Sequence, residues 1–208
     1  MRVVIFGASG RTGRRLVEQA LARGHEVTAF VRDPAKLALT HDRLRVVRGD
    51  VSDGERVAEA IAGQDAVLCA LGARGPAFDA MTVGARQIVA AMRDLGVRRL
   101  ITLTGAGVHD ARDRPGVIGR VMVFLLKTLQ PRVLADAERH CEQVRASGLD
   151  WTIVRVPRLT DGRGTGRVRA GWAGVNTGPT ISRADAAGFM LDQLDGGAYV
   201  RQAPMISN

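Results

Sequence analysis

The sequence contains few aromatic residues and few lysines. Aromatic side chains make up 4% of the 208 residues, whereas nucleic-acid-binding surfaces usually cluster cations and often add aromatic side chains. The chain is nevertheless basic, with a formal net charge of +9. Only Lys36 and Lys127 are lysines, and the arginines are scattered in runs no longer than a pair. We therefore expect no nucleic-acid partner and attribute part of the charge to attraction for an anionic ligand.

Cysteines and long apolar runs are also scarce. Cys69 and Cys141 are far apart and belong to no CxxC motif, so we predict no metal site and two small buried thiols. No apolar run is long enough to span a bilayer, and the N-terminus lacks the pattern of a signal peptide. Two isolated thiols are typical of a reducing compartment. We expect a cytoplasmic protein with no membrane partner.

The first residues combine a strand, a glycine-rich turn and a helix. Residues 1–6 read MRVVIF, and GASGRTG at 7–13 leads into the helical pattern RRLVEQALARG. Gly7 permits a tight turn, Gly10 lets backbone N–H groups approach phosphates, and Gly13 lets the helix pack close to the strand. The helix N-terminus favours an anion. The pattern predicts a dinucleotide-binding turn, and the alternative is a glycine-rich turn that binds nothing.

Strand and helix patterns alternate along the whole chain. This alternation predicts an α/β fold, with a Rossmann-type doubly wound parallel sheet and helices on both faces. We expect one NAD(P)-binding domain over residues 1–208. Residues 116–147 are expected to form one long helix or two helices interrupted at Pro131. Further strands are expected at residues 26–31, 44–47, 66–70, 99–103, 150–156 and 198–200.

Residues 158–180 break this regular alternation. They contain six glycines and show little periodicity. A loop of this length in a compact domain usually serves a function. We predict a glycine-rich lid or substrate segment, and the alternative is a surface excursion with a small hairpin around 167–170.

The end of the second predicted strand suggests which cofactor is preferred. Arg32 follows the strand, and a guanidinium there suits a ribose 2′-phosphate. Asp33 precedes Pro34 and is therefore predicted to cap a helix rather than to bind the ribose. Arg11 adds a second cation in the glycine loop. We predict NADP(H) over NAD(H), and the alternative makes both arginines ordinary surface residues.

Two further strand ends are candidates for cofactor contacts. Asp50 follows the third strand, where a carboxylate can accept from the adenine amino group, and Val51 is its neighbour. The alternative role for Asp50 is to cap the helix that follows Ser52. The small residues of the segment 70–72 would let the cofactor pass close to the backbone.

Several blocks in order resemble a known family. They include GASGRTG at 7–13, VRDPAKL at 31–37, AGQDAVLCALG at 62–72, SGLDWTIVRVPRLTDG at 147–162 and ISRADAAGFML at 181–191. The chain resembles, over nearly its full length, the atypical short-chain dehydrogenases/reductases of the NmrA-like and biliverdin reductase B/flavin reductase-like type. The resemblance implies a Rossmann fold that binds NADPH. The cofactor-binding residues implied are Gly7, Ser9, Gly10, Arg11, Thr12, Gly13, Arg32, Asp50, Val51, Ala70, Leu71, Gly72, Thr104, Gly105, Pro157, Arg158 and Leu159.

The usual catalytic pair of short-chain dehydrogenases, Tyr-x-x-x-Lys, is missing. Tyr199 is the only tyrosine, and Ala203 stands four residues after it. Thr104 and His140 are the remaining catalytic candidates, with Asp136 placed one helical turn before His140 to orient it. The alternatives are a threonine that merely closes a strand and a structural histidine.

These observations leave two main hypotheses about function. The first is an NADPH-dependent reductase that transfers hydride to a small planar acceptor such as a flavin or quinone. The second is a non-enzymatic NADP(H)-binding redox sensor that binds a protein partner. An epimerase or dehydratase is disfavoured because the sequence shows no acid–base pair.

Overall fold

The structure is a computed structural model that describes residues 1–72 and 79–208. Its strands are β1 (Arg2–Phe6), β2 (Glu26–Val31), β3 (Leu44–Arg48), β4 (Ala66–Cys69), β5 (Arg99–Gly105), β6 (Asp150–Val156), β7 (Arg158–Thr160), β8 (Arg169–Gly171), β9 (Thr180–Ser182) and β10 (Met205–Ser207). Its α-helices are α1 (Arg11–Ala22), α2 (Gly54–Ile61), α3 (Ala80–Asp94), α4 (Val117–Leu129), α5 (Pro131–Arg145) and α6 (Arg183–Asp192).

The main sheet has the strand order β3-β2-β1-β4-β5-β6-β10-β8. Its strands run parallel except for β8, which pairs antiparallel with β10. The order reverses between β1 and β4, and a crevice for a ligand forms at such a switch point. The predicted doubly wound fold is confirmed.

Side chains alternate between two cores on either side of the sheet. Val3 and Ile5 of β1 belong to the core under α1 and α6, whereas Val4 and Phe6 belong to the core under α2, α3 and α5. Because helices cover both faces, the central strands are apolar at every position rather than at alternate positions. This explains the uninterrupted run VVIF near the N-terminus.

Local signals define several helix ends as the sequence predicts. Asp33 Oδ1 accepts a hydrogen bond from the Ala35 N–H at 3.1 Å and caps a 3₁₀ turn. Gly24 follows α1 with a φ of +86°, a conformation that favours glycine. Pro131 occupies the first turn of α5, so residues 116–147 form two helices.

The expected strand at residues 198–200 is wrong. These residues form a turn, and Arg201 after them has a φ of 56°, which turns the chain away from an extended path. The edge strand is β10, which pairs with both β6 and β8 and has buried side chains. A short run of mostly apolar residues such as 198–200 was therefore not sufficient to predict which segment pairs with the sheet.

The glycine-rich segment 158–180 contains short strands rather than a hairpin at 167–170. β7 pairs with β9, β8 joins the main sheet, and a tight turn connects Trp172 to Val175. The Asp185 carboxylate accepts hydrogen bonds from the backbone N–H groups of Thr165 and Gly166 at 3.0 and 2.9 Å. These bonds fasten the middle of the segment to the first turn of α6.

Candidate functional site

The glycine-rich loop brings backbone atoms closer together than any side chain would allow. Gly7 has a φ of +76°, and a Cβ there would lie 2.6 Å from the Ala70 carbonyl oxygen. A Cβ at Gly13 would lie 2.0 Å from the Gly7 carbonyl oxygen. The Gly10 N–H donates to that same oxygen at 2.9 Å. The loop therefore places α1 directly against the end of β1, beside the end of β4.

The N-terminus of α1 opens into the crevice between β1 and β4. Gly10 is its N-cap and provides no side-chain cap, and the Arg14 N–H donates to the Gly10 carbonyl oxygen at 2.8 Å. The N–H groups of the first helical turn have no acceptor within the helix. Together with the helix dipole they favour a phosphate. Ser9 is half-buried and Thr12 is buried beside these groups, so the loop fits the pyrophosphate of a dinucleotide.

Arg32 and Asp50 are exposed at the ends of β2 and β3. The Asp50 carboxylate accepts from the N–H and the hydroxyl of Ser52 at 3.0 and 2.8 Å. These two bonds, together with the charge of Arg32, hold the pKa of Asp50 below its usual value. Asp50 therefore closes its own turn, and the alternative that it caps α2 is wrong because Asp53 does so. Val51 lies half-buried after Asp50.

Arg11 joins the glycine loop to the glycine-rich segment. Its guanidinium forms an ion pair with Asp161, and Asp161 also pairs with Arg183 at 2.7 Å. Arg11 and Asp161 are both more than half exposed. A cofactor phosphate near Arg11 would therefore compete with a carboxylate already bound there.

The residues after β4 form the other edge of the crevice. The Ala70 N–H donates to the Phe6 carbonyl oxygen at 2.9 Å. Leu71 is half-buried and packs against Gly84, where a Cβ would lie 2.5 Å from the leucine Cδ1. Gly72 is exposed. The structure thus brings segment 70–72 beside the glycine loop, as the sequence analysis expects.

A cavity of about 820 Å³ lies beyond the ends of β5 and β6. Three predicted cofactor residues, Gly105, Pro157 and Arg158, line it. The inner side of α4 forms one wall, and residues 173–174 and 177–179 of the glycine-rich segment form another. The residues predicted to contact the nicotinamide end of the cofactor therefore border a cavity that is large enough to hold a second small molecule.

One cavity-lining residue, Asp113, belongs to a buried ion pair. Arg155 is 0% exposed and donates to both carboxylate oxygens of Asp113, at 2.7 and 2.8 Å. The Ala173 N–H donates to Asp113 Oδ1 at 2.9 Å. Burial alone would raise the pKa of Asp113, but Arg155 and the backbone donors lower it below its usual value. The pair fixes the loop after β5 to β6 and to the glycine-rich segment.

Neither predicted catalytic residue lines the cavity. Thr104 is buried on β5, and its Oγ1 makes no hydrogen bond of good geometry with any described residue. Burial raises the pKa of the nearby Cys141 thiol to about 11, and the Arg145 charge and the Thr104 hydroxyl oppose that rise. Leu159, a predicted cofactor residue, is half-buried on β7 outside the cavity lining.

His140 is enclosed between α3, α5 and the sheet. Its Nε2 lies 2.8 Å from Thr102 Oγ1, and its Nδ1 lies 3.1 Å from the Met81 carbonyl oxygen. Because a carbonyl only accepts, Nδ1 carries the proton and Nε2 accepts from the threonine. Burial lowers the pKa of His140 and favours its neutral form. The surroundings are those of a core histidine, which corresponds to the alternative named in the sequence analysis.

Asp136 has a different partner from the one expected. Its carboxylate accepts from the Met81 N–H at 3.1 Å and from the Thr82 N–H at 2.9 Å. It therefore caps the start of α3 and makes no hydrogen bond to His140. Asp136 acts on His140 through its charge, which opposes part of the lowering of the His140 pKa by burial.

The two cysteines are buried and free, as the sequence predicts. Burial raises the pKa of both thiols, which disfavours the thiolate that a nucleophile needs. Among residues 1–72 and 79–208, no group of three histidine, cysteine or acidic side chains is arranged to hold a metal. Within the same residues, no helix is long and apolar enough to cross a membrane.

Sequence reasoning missed five titratable residues that line the cavity. They are His109, Asp113, Arg120, Lys127 and Glu138. No motif surrounds them, and they come from the loop after β5, from α4 and from α5. Only the tertiary arrangement places them on one cavity, so no local signal could have identified them.

Comparison with known proteins agrees with this geometry. A family model described as NAD(P)H-binding matches residues 7–196. An uncharacterized chloroplastic protein of Arabidopsis thaliana is 35% identical over 181 residues, which are 80% of this chain and 62% of that protein. The uncharacterized protein YwnB of Bacillus subtilis is 30% identical over 207 residues, covering 94% of this chain and 92% of its own.

Solved structures show the same fold. A short-chain dehydrogenase/reductase from Veillonella parvula in complex with NADP has a TM-score of 0.81 at 18% identity, covering 100% of this chain and 94% of its own. The anaerobilin reductase ChuY from Escherichia coli O157:H7 has a TM-score of 0.78 at 22% identity, covering 100% and 97%.

The fold and the glycine-rich crevice define an NAD(P)-binding Rossmann protein. The chain belongs to the NAD(P)H-binding family of atypical short-chain dehydrogenases/reductases, a family of NAD(P)H-dependent oxidoreductases. The predicted family membership is therefore confirmed.

Proposed function

We propose that this chain is an NADPH-dependent reductase that reduces a planar acceptor, such as a flavin or quinone, in the cavity beyond β5 and β6. The observation that carries this proposal is that Gly105, Pro157 and Arg158 belong to both the predicted cofactor site and the cavity lining. A cofactor and an acceptor held there would be neighbours. Proximity and orientation are the main contributions that a protein makes to hydride transfer.

The crevice supports binding of the cofactor along the strand ends. The N–H groups at the start of α1 would hold the pyrophosphate, and Asp50 retains a carboxylate oxygen for the adenine amino group. Arg32 and Arg11 would hold the 2′-phosphate that distinguishes NADPH from NADH. When bound, NADPH supplies the hydride.

The cavity supports an apolar, flat acceptor with an anionic substituent. Val123, Leu126 and Met205 provide apolar surface, and Arg120 and Lys127 add positive charge. Neither cation has an ion-pair partner among residues 1–72 and 79–208. A flavin or quinone takes up its remaining proton from water, so a reaction of this kind does not require the missing Tyr-x-x-x-Lys pair.

The proposal also includes a cytoplasmic location and a single domain over residues 1–208. Two buried free thiols suit a reducing cytoplasm. Residues 158–180 would act as the substrate segment of a single domain over 1–208, because residues 173–174 and 177–179 line the cavity.

The first experiment is NADPH oxidation by the purified chain with FMN or menadione as acceptor. Arg32→Glu should weaken NADPH binding by about tenfold or more, since a hydrogen bond to a charged group contributes about 1.5–3 kcal/mol. NADH binding should change much less. Arg139→Glu, an exposed arginine on α5, is the control. Unchanged NADPH affinity in Arg32→Glu would overturn the cofactor assignment.

A matched pair of variants tests the acceptor site. Val123→Trp places a large ring in the cavity, whereas Val121→Trp places the same ring on the outer face of α4. We expect the first to raise the KM for the acceptor severalfold while leaving NADPH affinity unchanged, and the second to change neither. Equal effects of the two variants would place the acceptor elsewhere.

A redox-sensing regulator remains the second candidate function. One observation favours it: neither Thr104 nor His140 lines the cavity. NADPH binding without turnover of any flavin or quinone, together with a protein partner whose retention differs between NADP⁺ and NADPH, would support the sensor over the reductase.

A further inference from the structure

The outer face of α4 carries an apolar patch that the rest of the described structure leaves uncovered. Val117, Phe124 and Leu129 are 67%, 66% and 73% exposed, and Val121 and Leu125 are exposed beside them. The positions 117, 121, 124 and 125 follow the spacing of one helical face. Single exposed apolar residues are ordinary, but a contiguous patch marks an interaction site.

Along the sequence, the charges in and beside α4 have one sign, although Asp113 and Glu138 line the cavity that α4 borders. Between Asp113 and Asp136 the sequence contains four cations, Arg114, Arg120, Lys127 and Arg132, and no acidic residue. Arg120 and Lys127 are seven residues apart and therefore lie on the same side of the helix. An apolar face bordered by cations is the composition of helices that lie in the surface of an anionic bilayer.

The dimensions of α4 also suit a position in the plane of the membrane. Thirteen residues extend about 20 Å, whereas a spanning helix needs about 20 residues. No helix among residues 1–72 and 79–208 is both long and apolar enough to span a bilayer. The expectation of no membrane partner rested on the lack of a spanning run, and that criterion does not test binding at the surface.

A second copy of this chain is a poorer occupant for the patch. Standard protein interfaces use about 20–30 residues from each partner, and the patch offers five large apolar side chains. Two α4 helices packed together would also bring Arg120 and Lys127 of both copies, four cations in all, close to one another. Anionic headgroups would instead neutralise these cations, so charge complementarity favours a lipid surface.

We propose that α4 docks on an anionic lipid bilayer, with Phe124 and Leu129 inserted below the headgroups. Arg120 and Lys127 are exposed side chains that also line the cavity, so they lie between the cavity and the apolar face and would reach the phosphates from there. Val123 and Leu126 on the inner side of the same helix line the cavity. Docking would therefore bring the cavity to the membrane surface. The binding step does not depend on the proposed reductase activity and can be measured without it.

The test is co-sedimentation of the full chain with vesicles of phosphatidylcholine, with and without phosphatidylglycerol. We expect binding that requires phosphatidylglycerol and weakens as salt is added. The double variant Phe124→Ser/Leu129→Ser should lower the partition coefficient by about tenfold or more, because each apolar side chain contributes substantially to insertion. Both residues are exposed and lie outside the cavity lining, so turnover of FMN should not change.

Leu95→Ser is the matched control, since Leu95 is an exposed leucine at the end of α3. It should bind vesicles as the unmodified chain does. Failure of the unmodified chain to bind anionic vesicles, or equal binding by the double variant, would overturn the proposal. Light scattering that shows a dimer lost in the double variant, without vesicle binding, would assign the patch to self-association instead.

Discussion

The glycine-rich loop and the cavity lie at neighbouring strand ends but are held by different interactions. The loop depends on backbone atoms packed so closely that Gly7 and Gly13 have no room for a Cβ. The cavity depends on the buried side-chain pair Arg155–Asp113, which joins segments far apart in sequence. Cofactor binding can therefore rely on a short local motif, while the neighbouring cavity is built from many elements.

The largest expected effect is at the buried Arg155–Asp113 pair beside the cavity. Asp113→Ala would leave the Arg155 guanidinium buried without its carboxylate, and breaking such a pair costs about 3–5 kcal/mol. Urea unfolding measures the loss. Asp150→Ala removes a partly exposed carboxylate that pairs with Arg98 and Arg201, and it should cost about 1 kcal/mol or less. Similar losses for the two variants would show that burial does not govern the Arg155–Asp113 pair.

A smaller effect on stability is expected in the loop, with a larger effect on binding. Gly13→Ala would place a Cβ 2.0 Å from the Gly7 carbonyl oxygen, and such overpacking costs about 1–3 kcal/mol. Because α1 must shift away from β1, NADPH affinity should fall as well. Thermal unfolding and NADPH fluorescence measure the two effects. Gly197→Ala is the control, since a Cβ there meets no atom within 4 Å, and a fall in NADPH affinity for this variant would contradict the interpretation.

The smallest effect is a pH dependence of stability that comes from His140. Burial lowers its pKa in the folded protein, so below about pH 6.5 the unfolded chain binds a proton that the folded chain does not. The free energy of unfolding is therefore highest at neutral pH with respect to His140. It should decrease as the pH falls below about 6.5, by at most about 1.4 kcal/mol per pH unit. Urea unfolding between pH 5 and pH 7 measures the slope (roughly the range in which histidine titrates).

The matched variants for this measurement are His140→Gln and His41→Gln. The pKa of His25 is also lowered, by partial burial and the N-terminal amine, so both variants are made in a His25→Gln background. His140→Gln should flatten the slope, whereas His41→Gln, exposed before β3, should retain it. A slope that persists in His140→Gln would assign it to another group.

Features that depend on neighbours in sequence were predictable. The strand–turn–helix at the N-terminus, the Asp33 cap, the turn at Gly24 and the break at Pro131 each follow from residues a few positions apart. Local conformation dictates them, so the sequence pattern is sufficient. The same holds for the glycine spacing, which specifies close backbone packing before any partner is known.

Features that depend on distant contacts were not predictable. Asp136 was expected to orient His140, but it caps α3 because the tertiary fold brings Met81 and Thr82 to it. The final strand was misplaced because pairing with β6 and β8, rather than apolar character, selects residues 205–207. The Arg155–Asp113 pair could not be predicted from a local motif, because its two residues are 42 positions apart in the sequence.

The scarcity of lysine has a consequence for chemical labelling. Amine-reactive reagents have only Lys36, Lys127 and the N-terminal amine to modify. Lys36 lies beside Asp33 near the end of β2, 3.6 Å from its carboxylate, whereas Lys127 lines the cavity on α4. A fluorophore or cross-linker attached through amine chemistry would thus report on the end of β2 and on the cavity, without any engineered cysteine.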